Sequence, residues 1–371
     1  MTKVFSFFIG ILLLANPVFS ESNFKLPQEP QRPFPYDEEE VVFENASANV
    51  RLAGTLTLPR TEGPVPVVVL VQGHGPLDRD SSLFGHKPFF VWADHLTRQG
   101  IAVLRFDKRS TGTSTGDYTT ATVEDFASDA LTAVEYLKTR KEVDQKKIGL
   151  IGHSEGGMVV SFAASQSKDI AFIVMMAAPC VTWEDLLLDQ ETAMQRIAGV
   201  SQEIIGKNRQ LRKLMCSVIK KENNPQVVKE KLRELFTTYL NNATEPQKTA
   251  LETCYGPVDG QIQFFNLASI RYNFINDPAI YLKKVKIPVL ALNGEMDFIV
   301  SVEQNLNRIE KVLAEAGHKD FTIVKLPKLN HAFQTCRTGA MMECAEIEET
   351  AAPAVLNLMS DWILQRTVKK N

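Results

Sequence analysis

The chain has 371 residues, 44% of them hydrophobic and 23% charged, enough for one large α/β core with an insertion. A formal net charge of −3 gives no electrostatic footing for nucleic acid or an anionic membrane surface. Six histidines and no Cys-x-x-Cys pair leave little material for a metal site, and neither metal nor cofactor is expected.

Residues 1–20 read as a signal peptide. Lys3 supplies the positive start, Phe5 to Ala15 is almost unbroken apolar sequence, and Pro17 ends it. Val18 and Ser20 then fit the small-residue cleavage pattern, with the cut after Ser20. The run is shorter than the roughly 20 residues a membrane helix needs, so no stable membrane association is expected. A buried or anchoring N-terminal helix is the alternative. The expected location is secreted or periplasmic, a setting that permits disulfides among Cys180, Cys216, Cys254, Cys336 and Cys344. Residues 21–37, rich in Pro, Gln and Glu, read as an extended tether. Asn45 and Asn242 each head an N-x-Ser/Thr triplet.

Alternation in Val41 to Phe43 and Val50 to Leu58 predicts an antiparallel pair. Val65 to Val71 is a continuous β-branched run, the pattern of a strand buried on both faces of a parallel sheet. A helix is predicted over Phe89 to Gln99, a strand over Ile101 to Phe106, and an amphipathic helix over Val123 to Lys138. Lys147 to Ile151 and Ile170 to Ala177 read as strands around a small-residue helix, Glu155 to Ala164. Residues 181–284 lack a buried strand and carry helical spacing, which marks an inserted helical cap over the site. The βα alternation resumes with Ile287 to Leu292, Val302 to Ala316, Phe321 to Leu326 and Ala354 to Gln365. Residues 38–180 and 285–371 thus form one α/β catalytic domain, a mostly parallel sheet covered by helices on both faces.

Gly152-His153-Ser154-Glu155-Gly156 stands where a buried strand turns into a helix. This is the G-x-S-x-G pattern of a nucleophile elbow; a plain tight turn is the alternative. A serine hydroxyl needs a base to take its proton, and the base needs a carboxylate to hold its tautomer. His331, after the last strand, is the expected base, since His318 sits at a helix terminus where a dipole contact explains it. Asp297 is the expected orienting acid, with Glu295 as fallback and helix capping as the alternative role of Asp297. The oxyanion hole is expected from the backbone N–H groups of Glu155 and His74, with Gly75 as an alternative to His74. Arg79, Arg109 and His153 are candidate substrate-binding residues, and Lys108 with the two arginines could hold an anionic substrate group, although ion pairs with Asp78, Asp80 and Asp107 are the simpler account of these cations.

These residues resemble the esterase branch of the α/β-hydrolase superfamily, related to dienelactone hydrolases and prolyl-oligopeptidase-like serine peptidases. The resemblance runs through Gly73 to Asp80, Phe106 to Arg109 with Gly112 and Ser114, Gly152 to Gly157, Leu329 to Gln334, and Glu349-Thr350 with Pro353 and Trp362. It implies an α/β-hydrolase fold and a serine hydrolase cleaving small-molecule carboxylic esters through an acyl-enzyme. A peptidase on short peptides, or an acyltransferase with the same triad, is the alternative. Gln72 stands where the superfamily commonly has histidine. Cys336 and Cys344, eight positions apart after His331, are expected to form a disulfide bracing that loop, with Cys216 and Cys254 as a second candidate pair.

Overall fold

The computed structural model describes residues 26–367, with the side chains of residues 253–255 left out. The expected signal peptide lies outside the described residues. In chain order the first elements are β1 (Tyr36–Asn45), β2 (Val50–Pro59), β3 (Val65–Val71), α1 (Pro88–Arg98), β4 (Ala102–Phe106) and α2 (Val123–Lys138). Then come β5 (Val143–His153), α3 (Glu155–Gln166) and β6 (Phe172–Met176). Six helices follow: α4 (Trp183–Ile197), α5 (Gln202–Lys221), α6 (Pro225–Asn242), α7 (Glu245–Tyr255), α8 (Val258–Asn266) and α9 (Ala268–Ile275). The chain closes with α10 (Ala279–Leu282), β7 (Val289–Gly294), α11 (Leu306–Glu315), β8 (Phe321–Leu326), a short 3₁₀ helix (Met341–Glu346) and α12 (Pro353–Thr367).

The eight strands form one sheet in the order β1-β2-β4-β3-β5-β6-β7-β8. β1, β2 and β4 pair antiparallel, and every pairing from β4 through β8 is parallel. Burial follows composition. All seven residues of β3 and all five of β4 and of β6 are buried, as expected for β-branched and aliphatic runs covered on both faces. β1 instead alternates, with Val41 and Phe43 inward and Glu44 outward. After β3 the chain crosses to β4 on one side and later returns to β5 on the other. Strand order therefore reverses at β3, and open α/β sheets place their sites in the crevice outside that point.

The chain divides into two compact units. The described part of the sheet unit comprises residues 26–118, 123–180 and 278–367. The described part of the helical unit comprises residues 119–122 and 181–277, so α10 falls with the sheet and the insertion ends before residue 284. Within the helical unit, Thr182, Ser201 and Asn224 accept backbone N–H groups at the starts of α4, α5 and α6, which explains where those helices begin. None of the described helices is long and apolar enough to cross a membrane.

Two expectations are corrected here. The described part of the tether is docked: Gln28 Oε1 accepts the N–H groups of Thr350 and Ala351, and its Nε2 donates to Ala351 O at 2.7 Å. The Cys336–Cys344 disulfide is not formed, and both residues are free thiols, as is Cys216. Cys336 Sγ faces Lys328 O at 3.5 Å, whereas Cys344 Sγ accepts from Asn330 Nδ2. The loop is closed by a carboxylate instead. Glu343 accepts the N–H groups of Arg337, Thr338 and Gly339 at 2.7 to 3.0 Å. Burial would raise this carboxyl, but those hydrogen bonds, led by the Thr338 side chain, hold it down at about 2. Asn45 is also buried, its Nδ2 donating to Ser128 Oγ and Asp129 Oδ1.

Candidate active site

Ser154 stands at the joint of β5 and α3 with φ 55° and ψ −124°, a left-handed conformation that costs a non-glycine residue on the order of 1–3 kcal/mol. The surroundings enforce it. Ser154 N–H donates to Met176 O at 2.8 Å, and Ser154 O accepts from Gly157 N–H at 2.9 Å. A Cβ on Gly152 would lie 2.1 Å from Gly156 O, and one on Gly156 would lie 2.2 Å from Val71 O. Glycine at both positions is therefore a packing requirement of the turn.

His331 lies on the loop after β8, and its Nδ1 is 2.8 Å from Asp297 Oδ2. Asp297 follows β7 and is buried; its other oxygen accepts the N–H groups of Ile299 and Val300, both at 2.8 Å. Glu295, the fallback acid, is solvent-facing and paired with Lys325. His318 belongs elsewhere, its Nε2 donating to Ile287 O. His153 Nε2 donates to the carbonyl of His331 at 2.9 Å, and the two rings are 4.9 Å apart. Burial, reinforced by the neighbouring His331, pushes His153 down to about 3, so it acts as a neutral donor that holds the loop carrying His331.

Across the serine lies the loop after β3. A Cβ on Gly73 would fall 3.1 Å from Ser154 Cβ, which places this loop against Ser154. Gly75 N–H donates to Tyr118 Oη at 2.8 Å, which removes it as an oxyanion donor and favours His74. The Glu155 side chain points into a buried cluster with Lys108 Nζ at 3.3 Å and His74 Nδ1 at 3.4 Å. Burial alone would raise the Glu155 carboxyl, but the Lys108 ammonium and then His74 outweigh it and hold it at about 2. Gln72 is buried, its Nε2 donating to Phe106 O and Asp78 O, so it ties the two neighbouring loops together.

Arg79 and Arg109 are corrected as substrate ligands. Arg79 Nη2 pairs with Asp107 Oδ2 at 2.8 Å and Nη1 donates to Thr55 Oγ1, while Arg109 Nε pairs with Asp129 Oδ2 at 2.7 Å. A guanidinium enclosed in a fold must find its carboxylate there, and these two have. Tyr118 is the contributor that sequence reasoning did not assign to the site, and Lys108, a sequence candidate for holding an anionic substrate group, is instead committed to Gly73 O and Glu155. Tyr118 carries no local signal, since its role comes from a contact 43 positions away. Among the described residues no group of three or more His, Cys, Asp or Glu is placed to hold a metal ion.

Residues 48–324 match the family described as X-Pro dipeptidyl-peptidase (S15 family). Esterase EstD of Thermotoga maritima is 40% identical over 161 residues, 43% of this chain and 38% of that protein. The matched stretches span less than half of the curated relatives' own length. The Pyrococcus furiosus esterase Pf2001 superposes with a TM-score of 0.50 at 18% identity, covering 90% of this chain and 94% of that one. The Pyrococcus horikoshii acylaminoacyl peptidase gives 0.51 at 15% identity, covering 92% of this chain and 43% of that one. At such identities the two structures speak to the fold, which is that of the α/β-hydrolases.

Proposed function

The chain belongs to the X-Pro dipeptidyl-peptidase (S15) family of α/β-hydrolase serine hydrolases, and from that premise we propose that it cleaves small-molecule carboxylic esters with Ser154 as nucleophile. His331 takes the serine proton as Oγ attacks the ester carbonyl, and Asp297 keeps Nδ1 protonated so that Nε2 can accept. The tetrahedral oxyanion is received by the backbone N–H groups of His74 and Glu155, helped by the N-terminus of α3. Collapse expels the alcohol, which takes its proton from His331, and water then releases the acid by the same steps in reverse. The observation carrying this reading is the His331–Asp297 hydrogen bond at 2.8 Å in the same unit as a strained serine elbow.

Peptide hydrolysis is the second reading, favoured by the description of the matching family. Release of a dipeptide from a free N-terminus calls for a carboxylate to hold the terminal ammonium. Asp297 and Glu155 are committed to His331 and to Lys108 with His74, so neither is available for that task. Acyl selectivity is assigned to the helical unit, inserted between β6 and β7. Residues 1–20 carry the further reading that the enzyme is secreted or periplasmic. A panel of p-nitrophenyl esters and aminoacyl anilides, run on wild type and Ser154→Ala, tests the assignment. Ester turnover that Ser154→Ala abolishes is expected; turnover confined to the anilides would establish the peptidase.

A further inference from the structure

Lys108 follows β4 and is buried, a costly place for an ammonium, and the reaction scheme above gives it no task. We propose that Lys108 is a positioning residue of the oxyanion hole, fixing the His74 N–H by gripping the carbonyl at the other end of the same peptide. The inference rests on the serine-hydrolase reading.

Lys108 Nζ donates to Gly73 O at 2.6 Å, the short distance of a charge-assisted hydrogen bond. A trans peptide is planar, with C=O and N–H pointing in opposite directions. Holding the Gly73 carbonyl therefore fixes the direction of the His74 N–H. The peptide concerned is the one beside the nucleophile, since a Cβ on Gly73 would lie 3.7 Å from Ser154 Oγ. A second anchor lies one residue on, where Gly75 N–H is held by Tyr118 Oη. Freed from Lys108, the Gly73–His74 peptide would be free to rotate and the N–H to leave its station.

Charge supplies the second half of the case. The Glu155 carboxylate is buried at the start of α3, and the Glu155 N–H is the other expected oxyanion donor. An unneutralised carboxylate there would oppose the negative charge that develops on the substrate oxygen. Lys108, 3.3 Å from Glu155 Oε2 and 4.3 Å from the centre of the Phe126 ring, cancels it from inside the protein.

The test compares wild type, Ser154→Ala, Lys108→Met and the double variant Lys108→Met/Glu155→Gln. The double variant leaves no unpaired buried charge and guards against misfolding of the single one. Loss of one hole donor typically costs 10²–10³ in kcat. We expect kcat of the double variant to fall by about that factor, with KM within about threefold of wild type. Affinity for an alkyl boronic acid, whose serine adduct presents an anionic oxygen to the hole, should fall in parallel. A kcat within about threefold of wild type, or a loss confined to KM, overturns the inference while the triad stands. Turnover that survives in Ser154→Ala removes the serine-hydrolase reading and this inference with it.

Discussion

Asp297 serves His331 with one carboxylate oxygen and its own turn with the other: Oδ2 accepts from the imidazole while Oδ1 accepts two backbone N–H groups. Holding the His331 imidazole and capping the turn, alternatives in the sequence, are simultaneous contacts of Asp297 in the structure. Asp297→Asn should keep most of the turn but admit the wrong imidazole tautomer, lowering kcat by about 10⁴. Glu295→Gln should change it little, because Glu295 meets Lys325 at the surface. Steady-state kinetics on the two variants check this, and equal losses would refute the assignment of the acid.

Ser154→Ala should lower kcat on the order of 10⁶ and abolish labelling by a fluorophosphonate. The left-handed backbone at this residue adds a stability prediction. Ser154→Gly should be equally inactive yet more stable than Ser154→Ala by about 1 kcal/mol, since glycine alone occupies φ 55° without strain. Urea titration of the two variants measures the difference. Equal midpoints would mean that the elbow stores no strain at Ser154.

The depressed His153 titration predicts an acid-side loss of stability. Its value is about 3 in the fold against 6.5 unfolded, so between those limits the unfolded chain binds the extra proton. The contribution is whole above about pH 6.5 and drains away as pH falls, at up to about 1.4 kcal/mol per pH unit for one proton. His153→Asn should flatten this slope between pH 6.5 and 5 by up to one proton. Denaturation across that range is the measurement, and an unchanged slope would show that His153 protonates freely in the fold.

Cys336 and Cys344 should both alkylate in unfolded, unreduced protein. In the folded protein Cys344 should react far more slowly, because burial pushes its thiol up to about 12, whereas half-buried Cys336 is raised less. Mass spectrometry after alkylation distinguishes two carbamidomethyl groups from an intact bridge. The loop's fastening should instead fail in Glu343→Gln, which loses the ionised acceptor of three backbone N–H groups.

What the sequence revealed and what it hid divide along one physical line. The strands announce themselves because burial on both faces demands contiguous apolar residues, as in Val65 to Val71. The elbow is equally local, since Gly152, Ser154 and Gly156 meet within one turn. Partners set by tertiary approach leave no such mark. Arg109 finds Asp129 twenty positions away, Lys108 reaches Gly73 thirty-five positions back, and Gln28 meets Ala351 across nearly the whole chain. The misread cysteines belong to the same class. Spacing brought Cys336 and Cys344 near each other but could not tell which way their sulfurs point, nor that Glu343 would do the bracing.

The burial of Asn45 sets protein synthesis against folding. Its amide nitrogen lies inside, linking the end of β1 to Asp129, which in turn holds Arg109. An oligosaccharide attached to the nascent chain would occupy that nitrogen before the contact forms, and the sugar has no room where the amide now sits. In a host whose secretory machinery modifies such triplets, each chain would face a race between the transferase and the closing of β1 onto α2. Chains modified first would be unable to seat the edge of the sheet, whereas a sugar on exposed Asn242 at the end of α6 would leave the fold undisturbed.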